Sequence, residues 1–173
     1  MPMKGAADMK KYLVYALVVA VAMTGSVVIA ANFSDGALKQ IEELKTLSRD
    51  KKDIPESFAG VKKITGEELK SWIDQKKAFV LLDNRVPADY EKERITGAKR
   101  LSPDDMLEKG IAAAEALGIK PTDIIVNYCN GVKCWRSSGA MVLLMDKGYK
   151  NLYWYRDGIP DWIKKGYPTA EGK

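Results

Sequence analysis

Short apolar runs that alternate with helical patterns constrain the fold of this chain more than any other feature. After Val61 three runs are predicted to be buried strands: AFVLLD at residues 78–83, DIIVNYC at 123–129 and NLYWY at 151–155. Continuous apolar runs of this length are typical of strands that are covered on both faces of a parallel sheet. ITGAKRL at residues 95–101 is a shorter strand candidate. Residues 61–173 are therefore predicted to form an α/β domain, an open parallel sheet flanked by helices.

The segments between these strands carry helix signals. Thr65 followed by Glu68 makes a capping box for a helix that continues to about Lys76. A second helix is predicted to begin at Ser102 and to continue through IAAAEALG to a glycine stop. Two more helices are predicted at residues 136–148 and 158–166. Strands and helices in this alternation favour parallel pairing of the strands.

Residues 1–31 have the pattern of a targeting segment. Lys10 and Lys11 precede an uncharged stretch at residues 12–31, which ends in small residues, as secretory signal peptides do. The stretch is also about 20 residues long, roughly enough to span a bilayer. It is predicted to be either a signal peptide that is cleaved or a membrane anchor that is retained. Both alternatives export the rest of the chain to the periplasm or another extracytoplasmic compartment, because the positive charges stay inside.

Residues 32–60 are predicted to form an amphipathic helix and a linker. An apolar stripe recurs every three residues at Leu38, Ile41, Leu44 and Leu47. Ser34 or Asp35 is the expected N-cap. Such a helix either lies on its own domain or, over residues 35–47, docks a partner protein. DIPESFAG at residues 53–60 has the composition of a linker.

The composition excludes several kinds of chemistry. The chain has no histidine, which excludes a Ser-His-Asp triad, a histidine-ligated haem and a histidine general base. Two cysteines without histidine are a poor ligand set for zinc, so no metal and no other cofactor is expected. The net charge of +5 is spread among acidic residues without a basic face, and no nucleic-acid partner is expected.

Cys129 ends the predicted strand at residues 123–129, and Cys134 lies in the loop that follows it. Open α/β sheets bind ligands beyond the carboxyl ends of their strands, which places Cys129 at the predicted site. The loop leads into a helix N-terminus, where unpaired N–H groups and the helix dipole stabilise an anion. Lys133 and Arg136 add positive charge, so we expect the pKa of the Cys129 thiol to lie below its free value of about 8.5.

About half of the chain, residues 78–166, resembles a single rhodanese-type domain. LLDNRVPADYEKERITGAKRL is similar to the family's Asp-x-Arg, Glu-Tyr and Gly-His-Ile-Pro-Gly-Ala run. VNYC and RSSGAMVLLMDKGYKNLYWYRDGIPDW are similar to its catalytic loop, the following helix and its Gly-Gly-Ile-x-x-Trp close. The resemblance implies that Cys129 is the nucleophile and Arg136 the loop arginine. It also implies that Asp83 and Arg85 support the loop.

The loop departs from the family's pattern in length. Family sulfurtransferases usually have four residues between the cysteine and the arginine and the related phosphatases five, whereas this chain has six. The additional room holds Cys134, a second candidate catalytic residue. The residues expected to bind substrate are Asn130, Gly131, Val132, Lys133 and Trp135. The family's usual histidine before Ile95 is replaced by Arg94.

The resemblance implies sulfur transfer. The Cys129 thiolate is expected to attack the sulfane sulfur of a small anion such as thiosulfate or polysulfide, or of a persulfide donor, and to become a persulfide. Cys134 is expected to resolve that persulfide to a disulfide. Two alternatives stay open. The same loop can serve a thiol/disulfide redox enzyme or an oxyanion-directed enzyme such as a phosphatase or arsenate reductase. The domain can also be a non-catalytic scaffold with a permanent Cys129–Cys134 disulfide.

Overall fold

A computed structural model describes residues 33–172, so the predicted signal or anchor at residues 1–31 lies outside the described residues. The helices are α1 (Asp35–Arg49), α2 (Gly66–Asp74), α3 (Pro87–Lys92), α4 (Pro103–Lys109), α5 (Ala112–Glu115), α6 (Trp135–Asp146) and α7 (Gly158–Lys164). The strands are β1 (Val61–Lys63), β2 (Val80–Asp83), β3 (Arg94–Ile95), β4 (Lys99–Arg100), β5 (Ile125–Tyr128), β6 (Leu152–Tyr155) and β7 (Thr169–Ala170). Among residues 33–172, no helix combines the length and the apolar character that a membrane crossing needs.

Five strands form a parallel sheet in the order β1–β6–β5–β2–β4, and β2, β5 and β6 lie in the three predicted apolar runs. Asn127 in the central strand β5 is in register with Leu82 of β2 on one side and with Trp154 of β6 on the other. The carboxyl ends of these three strands therefore meet at one edge of the sheet. Parallel neighbours need crossover connections, and the helices between the strands supply them.

Helices cover both faces of the sheet. Ile125 of β5 belongs to a core that includes α1, α4, α5 and α6, whereas Val126 and Tyr128 belong to a second core with α2 and α7. Trp154 lies in the first core and Tyr155 in the second, so these neighbours in β6 face opposite sides of the sheet. The predicted capping box is also confirmed, because Glu68 N donates to Thr65 Oγ1 and Thr65 N donates to Glu68 Oε2.

Two predicted elements are divided in the structure. The strand candidate at residues 95–101 is split by a turn at Gly97, whose φ is 85°. One part, β3, pairs antiparallel with β7, and the other, β4, joins the main sheet. The helix predicted from Ser102 through IAAAEALG ends at Gly110, whose φ of 69° terminates an α-helix, and α5 begins beyond it.

Helix α1 lies on its own domain. Its N-cap Ser34 accepts a hydrogen bond from Ala37 N and donates one from its hydroxyl to Asp146, the last residue of α6. Ala37, Ile41 and Leu44 are buried against the domain, so at these positions the apolar stripe has no free face for a partner. The predicted linker forms no helix or strand, but its Ile54 is only 1% exposed.

Candidate active site

Cys129 follows β5 at the carboxyl edge of the sheet and is 1% exposed. Its carbonyl accepts a hydrogen bond from the N–H of Ile159 over 3.0 Å. The turn before Ile159 requires glycine, because Gly158 has a φ of 65° and any Cβ there would collide with the Cys129 carbonyl. The beginning of α7 therefore fixes the position at which the cysteine loop leaves the sheet.

A disulfide joins Cys129 and Cys134, whose Cα atoms are 6.2 Å apart. Residues 130–133 lie between the two cysteines, and α6 begins directly after Cys134, its N-cap residue. The cysteines differ in surroundings, because Cys129 is buried whereas Cys134 is half-buried. The structure therefore brings the two predicted catalytic cysteines into direct contact, in their oxidised state.

Four backbone carbonyl groups at residues 129–133 accept hydrogen bonds, three from outside the loop and one from within its own turn. The four hydrogen bonds are Ile159 N to Cys129 O, Cys134 N to Gly131 O, Ile54 N to Val132 O, and Ser48 Oγ to Lys133 O, at 3.0, 3.0, 2.9 and 2.7 Å. In a trans peptide the N–H points opposite to the carbonyl of the preceding residue. The N–H groups of Asn130, Val132 and Lys133 therefore point away from these contacts.

These three N–H groups find no acceptor among residues 33–172. They stand directly before the N-terminus of α6, where the first helical N–H groups also lack partners within the helix. Free backbone donors together with the positive end of a helix dipole form an arrangement that stabilises anions. The predicted anion-binding loop thus has the donors that such a role needs.

Asp83 and Arg85 form a buried ion pair beside the loop. Arg85, which is 5% exposed, donates from Nε to Asp83 Oδ1 over 2.9 Å and from Nη2 to Asp83 Oδ2 over 2.6 Å. Burial acts to lower the pKa of Arg85, but the hydrogen bonds and charge of Asp83 outweigh it and raise that pKa. Burial and the neighbouring Asp83 raise the pKa of Tyr128, whose hydroxyl donates to Asp83 Oδ2. The pair is held between β2 and β5.

Asn130 connects this pair to the loop. Arg85 Nη1 lies 3.5 Å from Asn130 Oδ1, and Asn130 Nδ2 donates to Asp89 of α3 over 2.8 Å. Asn130 was predicted to bind substrate, and the structure uses its side chain to attach the loop to the end of β2 and to α3. Gly131, with a φ of 100°, lies where a Cβ would be 3.4 Å from the Asp157 carbonyl.

Arg136, the predicted loop arginine, is paired with an acidic side chain of α4. Its Nε donates to Asp104 of α4 over 2.7 Å, and its guanidinium lies 5.4 Å from the Trp135 ring centroid. Trp135, predicted to bind substrate, is only 7% exposed and belongs to the core between α1 and α6. The Lys133 side chain is exposed.

Sequence reasoning missed four residues near the loop. Ser48 and Ile54 hold loop carbonyls from outside the domain predicted at residues 61–173. Asn84 is fully buried, and while its Nδ2 donates to Leu101 O, its Oδ1 lacks a partner among the described residues. Asn127 of β5, two residues before Cys129, is fully buried, and neither its Nδ2 nor its Oδ1 has a described partner. An amide inside the apolar run DIIVNYC is the signal that points to Asn127.

Within residues 33–172, no three histidine, cysteine or acidic side chains are grouped as metal ligands. The site therefore consists of a disulfide, free backbone donors and the buried ion pair that supports them. Its chemistry in the reduced state is that of a thiol beside an anion-stabilising loop.

Comparison with known proteins gives matches across the domain. The family model described as the rhodanese-like domain matches residues 65–165. The probable adenylyltransferase/sulfurtransferase MoeZ of Mycobacterium tuberculosis is 32% identical over 107 residues, which are 61% of this chain and 25% of that protein. The chain thus spans a quarter of that relative's length. The uncharacterized protein YibN of Escherichia coli is 27% identical over 113 residues, 65% of this chain and 75% of YibN.

Solved structures agree at the level of the fold. The thiosulfate sulfurtransferase of Pseudomonas aeruginosa aligns with a TM-score of 0.54 and 16% identity, over 79% of this chain and 24% of that one. A protein of Bacillus halodurans aligns with a TM-score of 0.56 and 16% identity, over 79% of this chain and 87% of that one. At these identities the likeness shows the α/β fold alone.

Proposed function

The chain belongs to the rhodanese-like family, and from this premise we propose that it is an exported sulfurtransferase or sulfane-sulfur carrier in which Cys129 becomes a persulfide. The family and the sulfurtransferase among its relatives support a transferase role. One observation carries the finer proposal. Cys129 stands at the carboxyl end of the central strand, within a loop whose free N–H groups can stabilise an anion.

The first half-reaction starts from the reduced loop. The Cys129 thiolate attacks the outer sulfur of a small donor such as thiosulfate, and a new S–S bond forms. The bond between the two donor sulfurs breaks, and sulfite leaves with the electron pair. The product is a Cys129 persulfide with an anionic terminal sulfur, the charge that the free N–H groups of the loop would stabilise.

The second half-reaction removes the sulfur by one of two routes. An external nucleophile attacks the terminal sulfur, accepts it and leaves the Cys129 thiolate. In the other route the Cys134 thiolate attacks the inner sulfur, Sγ of Cys129, and hydrosulfide leaves. The second route produces the Cys129–Cys134 disulfide, the pairing present in this structure. A further turnover then requires a dithiol reductant, which supplies two electrons and becomes a disulfide itself.

The test measures sulfur on the full chain by intact mass. After mild reduction, removal of the reductant and exposure to thiosulfate or polysulfide, we expect a gain of about 32 Da that cyanide releases. The gain should disappear in Cys129→Ser and persist longer in Cys134→Ser, where no resolving thiol is present. If no variant gains sulfur and the disulfide of the parent protein re-forms and resists reduction, sulfur transfer is wrong and the scaffold alternative stands.

A thiol/disulfide redox role is the second candidate, because the two cysteines are bonded in the structure. The same experiment separates it from sulfur transfer. A redox protein would pass between the reduced and the disulfide form with a dithiol partner without gaining sulfur. A sulfur carrier would show the heavier species before the disulfide returns.

Export is the part of the proposal that depends on residues 10–31. A fusion of residues 1–60 to a phosphatase that is active only outside the cytoplasm should give phosphatase activity. Carbonate extraction of membranes then distinguishes a cleaved signal, which leaves the protein soluble, from a retained anchor, which keeps it in the membrane pellet. An inactive fusion would contradict export.

A further inference from the structure

Residues 33–54 precede the family match at residues 65–165, yet they contact the cysteine loop. We propose that residues 35–54, which we term the strap, position this loop for anion binding, with Ser48 and Ile54 as its positioning residues. The chemistry of the anion rests on the proposed function. The orientation of the loop does not, because it follows from the contacts of the strap.

The strap holds two consecutive carbonyl groups of the loop. Ser48 Oγ, near the end of α1, donates to Lys133 O over 2.7 Å. The backbone N–H of Ile54 donates to Val132 O over 2.9 Å. Each contact fixes one peptide plane of the loop, and both come from a segment about 80 residues earlier in the chain.

Each held carbonyl also orients the N–H group on the opposite side of the same peptide. The carbonyl of Lys133 shares its peptide with the N–H of Cys134, which donates to Gly131 O over 3.0 Å and closes the turn of the loop. The carbonyl of Val132 shares its peptide with the N–H of Lys133, which is free within residues 33–172. Ser48 therefore maintains the turn, and Ile54 directs a free donor.

The strap is itself held firmly enough to transmit this orientation. Ile54 is 1% exposed, and its carbonyl accepts a hydrogen bond from Arg156 Nη2 over 2.7 Å. Ile41 is 1% exposed and packs in the core with Trp135, the residue after Cys134. Lys45 Nζ lies 5.2 Å from the centroid of the Trp135 ring. The strap thus contacts the middle of the loop by hydrogen bonds. It also packs against Trp135, just beyond the end of the loop.

The experiment uses the full chain with Ser48→Ala, its conservative partner Ser48→Thr and the control Ser71→Ala. Ser71 is a suitable control because it is also a half-buried helical serine whose hydroxyl makes a hydrogen bond, here with Gln75, but it lies in α2. In a Cys134→Ser background, the pH dependence of iodoacetamide alkylation reports the Cys129 thiolate. In the parent background, steady-state assays with thiosulfate give KM and kcat.

We expect Ser48→Ala to move the alkylation midpoint to higher pH and to raise KM for thiosulfate by roughly two- to tenfold, the worth of one hydrogen bond. Ser48→Thr should restore both values, and Ser71→Ala should leave both unchanged. An unchanged midpoint and KM in Ser48→Ala would overturn the positioning role. A shifted midpoint in a protein that transfers no sulfur would retain the positioning role and refute the proposed function instead.

Discussion

At the scale of single residues, the two sulfurs of the disulfide offer unequal access. Cys129 is 1% exposed whereas Cys134 is half-buried. The sulfur that an incoming thiolate can reach becomes the mixed disulfide, and the other sulfur leaves as a thiolate. Attack at Cys134 would release the thiolate of Cys129 beside the free N–H groups of the loop, which favour that charge.

We therefore predict that a small thiol added to the oxidised protein is found on Cys134. Trypsin cleaves after Lys133 and Arg136, so the two cysteines fall in different peptides and their adducts have different masses. The measurement is peptide mass spectrometry after acid quenching at short times. An adduct found mainly on the peptide that contains Cys129 would contradict the prediction.

The stability of the buried ion pair between Asp83 and Arg85 also depends on single residues. Asp83→Asn keeps the shape of the side chain but leaves Arg85 as a buried charge without its partner. We expect a loss of about 3–5 kcal/mol in the free energy of unfolding, measured in urea. Asp74→Asn is the matched control, because its ion pair with Lys70 is exposed, and it should change stability by less than about 1 kcal/mol.

At the scale of elements, α1 and α6 pack closely because Gly139 has no side chain. A Cβ at Gly139 would lie 2.8 Å from carbons of the Trp135 ring and 3.2 Å from Cδ1 of Ile41. The contact between these two helices therefore depends on one small residue. The same contact keeps the strap near the cysteine loop.

Gly139→Ala is predicted to destabilise the protein, although alanine favours helices by about 1 kcal/mol over glycine. Overpacking costs about 1–3 kcal/mol and should outweigh that gain, lowering the melting temperature. Gly36→Ala in α1 is the control, since a Cβ there has only Ser34 Oγ within 4 Å, at 3.9 Å. It should leave the melting temperature unchanged or raise it. A Gly139→Ala protein that melts higher than the parent would show that the helices are free to move apart.

At the scale of the whole molecule, Ser34 and Asp146 tie together residues 112 positions apart. Burial acts to raise the pKa of Asp146, but hydrogen bonds from Ser34 and the neighbouring Lys147 lower it below its ordinary value of 3.8. A carboxyl whose pKa is lowered on folding contributes stability that is complete above its unfolded pKa. That contribution is lost as the pH falls through the folded pKa.

Ser34→Ala removes the N-cap bond to Ala37 N, which should cost about 1 kcal/mol at every pH in the experiment. It also removes the hydroxyl bond to Asp146, which should add to that cost near neutral pH. The difference from the parent should shrink as the pH falls below 3.8, the ordinary pKa of an aspartate, and Asp146 becomes protonated in both proteins. Urea unfolding over this range measures it. Thr65→Ala removes the N-cap of α2 and leaves Asp146 untouched, so its difference from the parent should not shrink for this reason. A constant difference for Ser34→Ala would contradict the role of Asp146.

Local patterns were enough to predict the parallel sheet, the cap at Thr65 and the place of Cys129. They left Ser34 and Asp35 as alternative caps, of which the structure uses Ser34. They failed where the structure of a segment depends on contacts with distant residues. IAAAEALG consists of good helix formers, so only the positive φ of Gly110 reveals that the helix is broken. The pairing of Arg136 with Asp104 depends on how α4 and α6 meet, and the bond from Ser48 to Lys133 spans 85 residues. Neither contact leaves a periodic signal in the sequence.

The positions of these residues along the chain also determine the order in which their contacts can form during synthesis. The loop at residues 129–134 receives hydrogen bonds from Ser48 and Ile54, which are synthesised early, and from Ile159, which is synthesised late. Contacts between distant residues form only after the intervening chain has closed. A ribosome that has just released Cys129 thus displays this residue before its carbonyl has the hydrogen bond from Ile159. The loop therefore has its full set of these hydrogen bonds only after Ile159 has been synthesised and has folded back over Cys129.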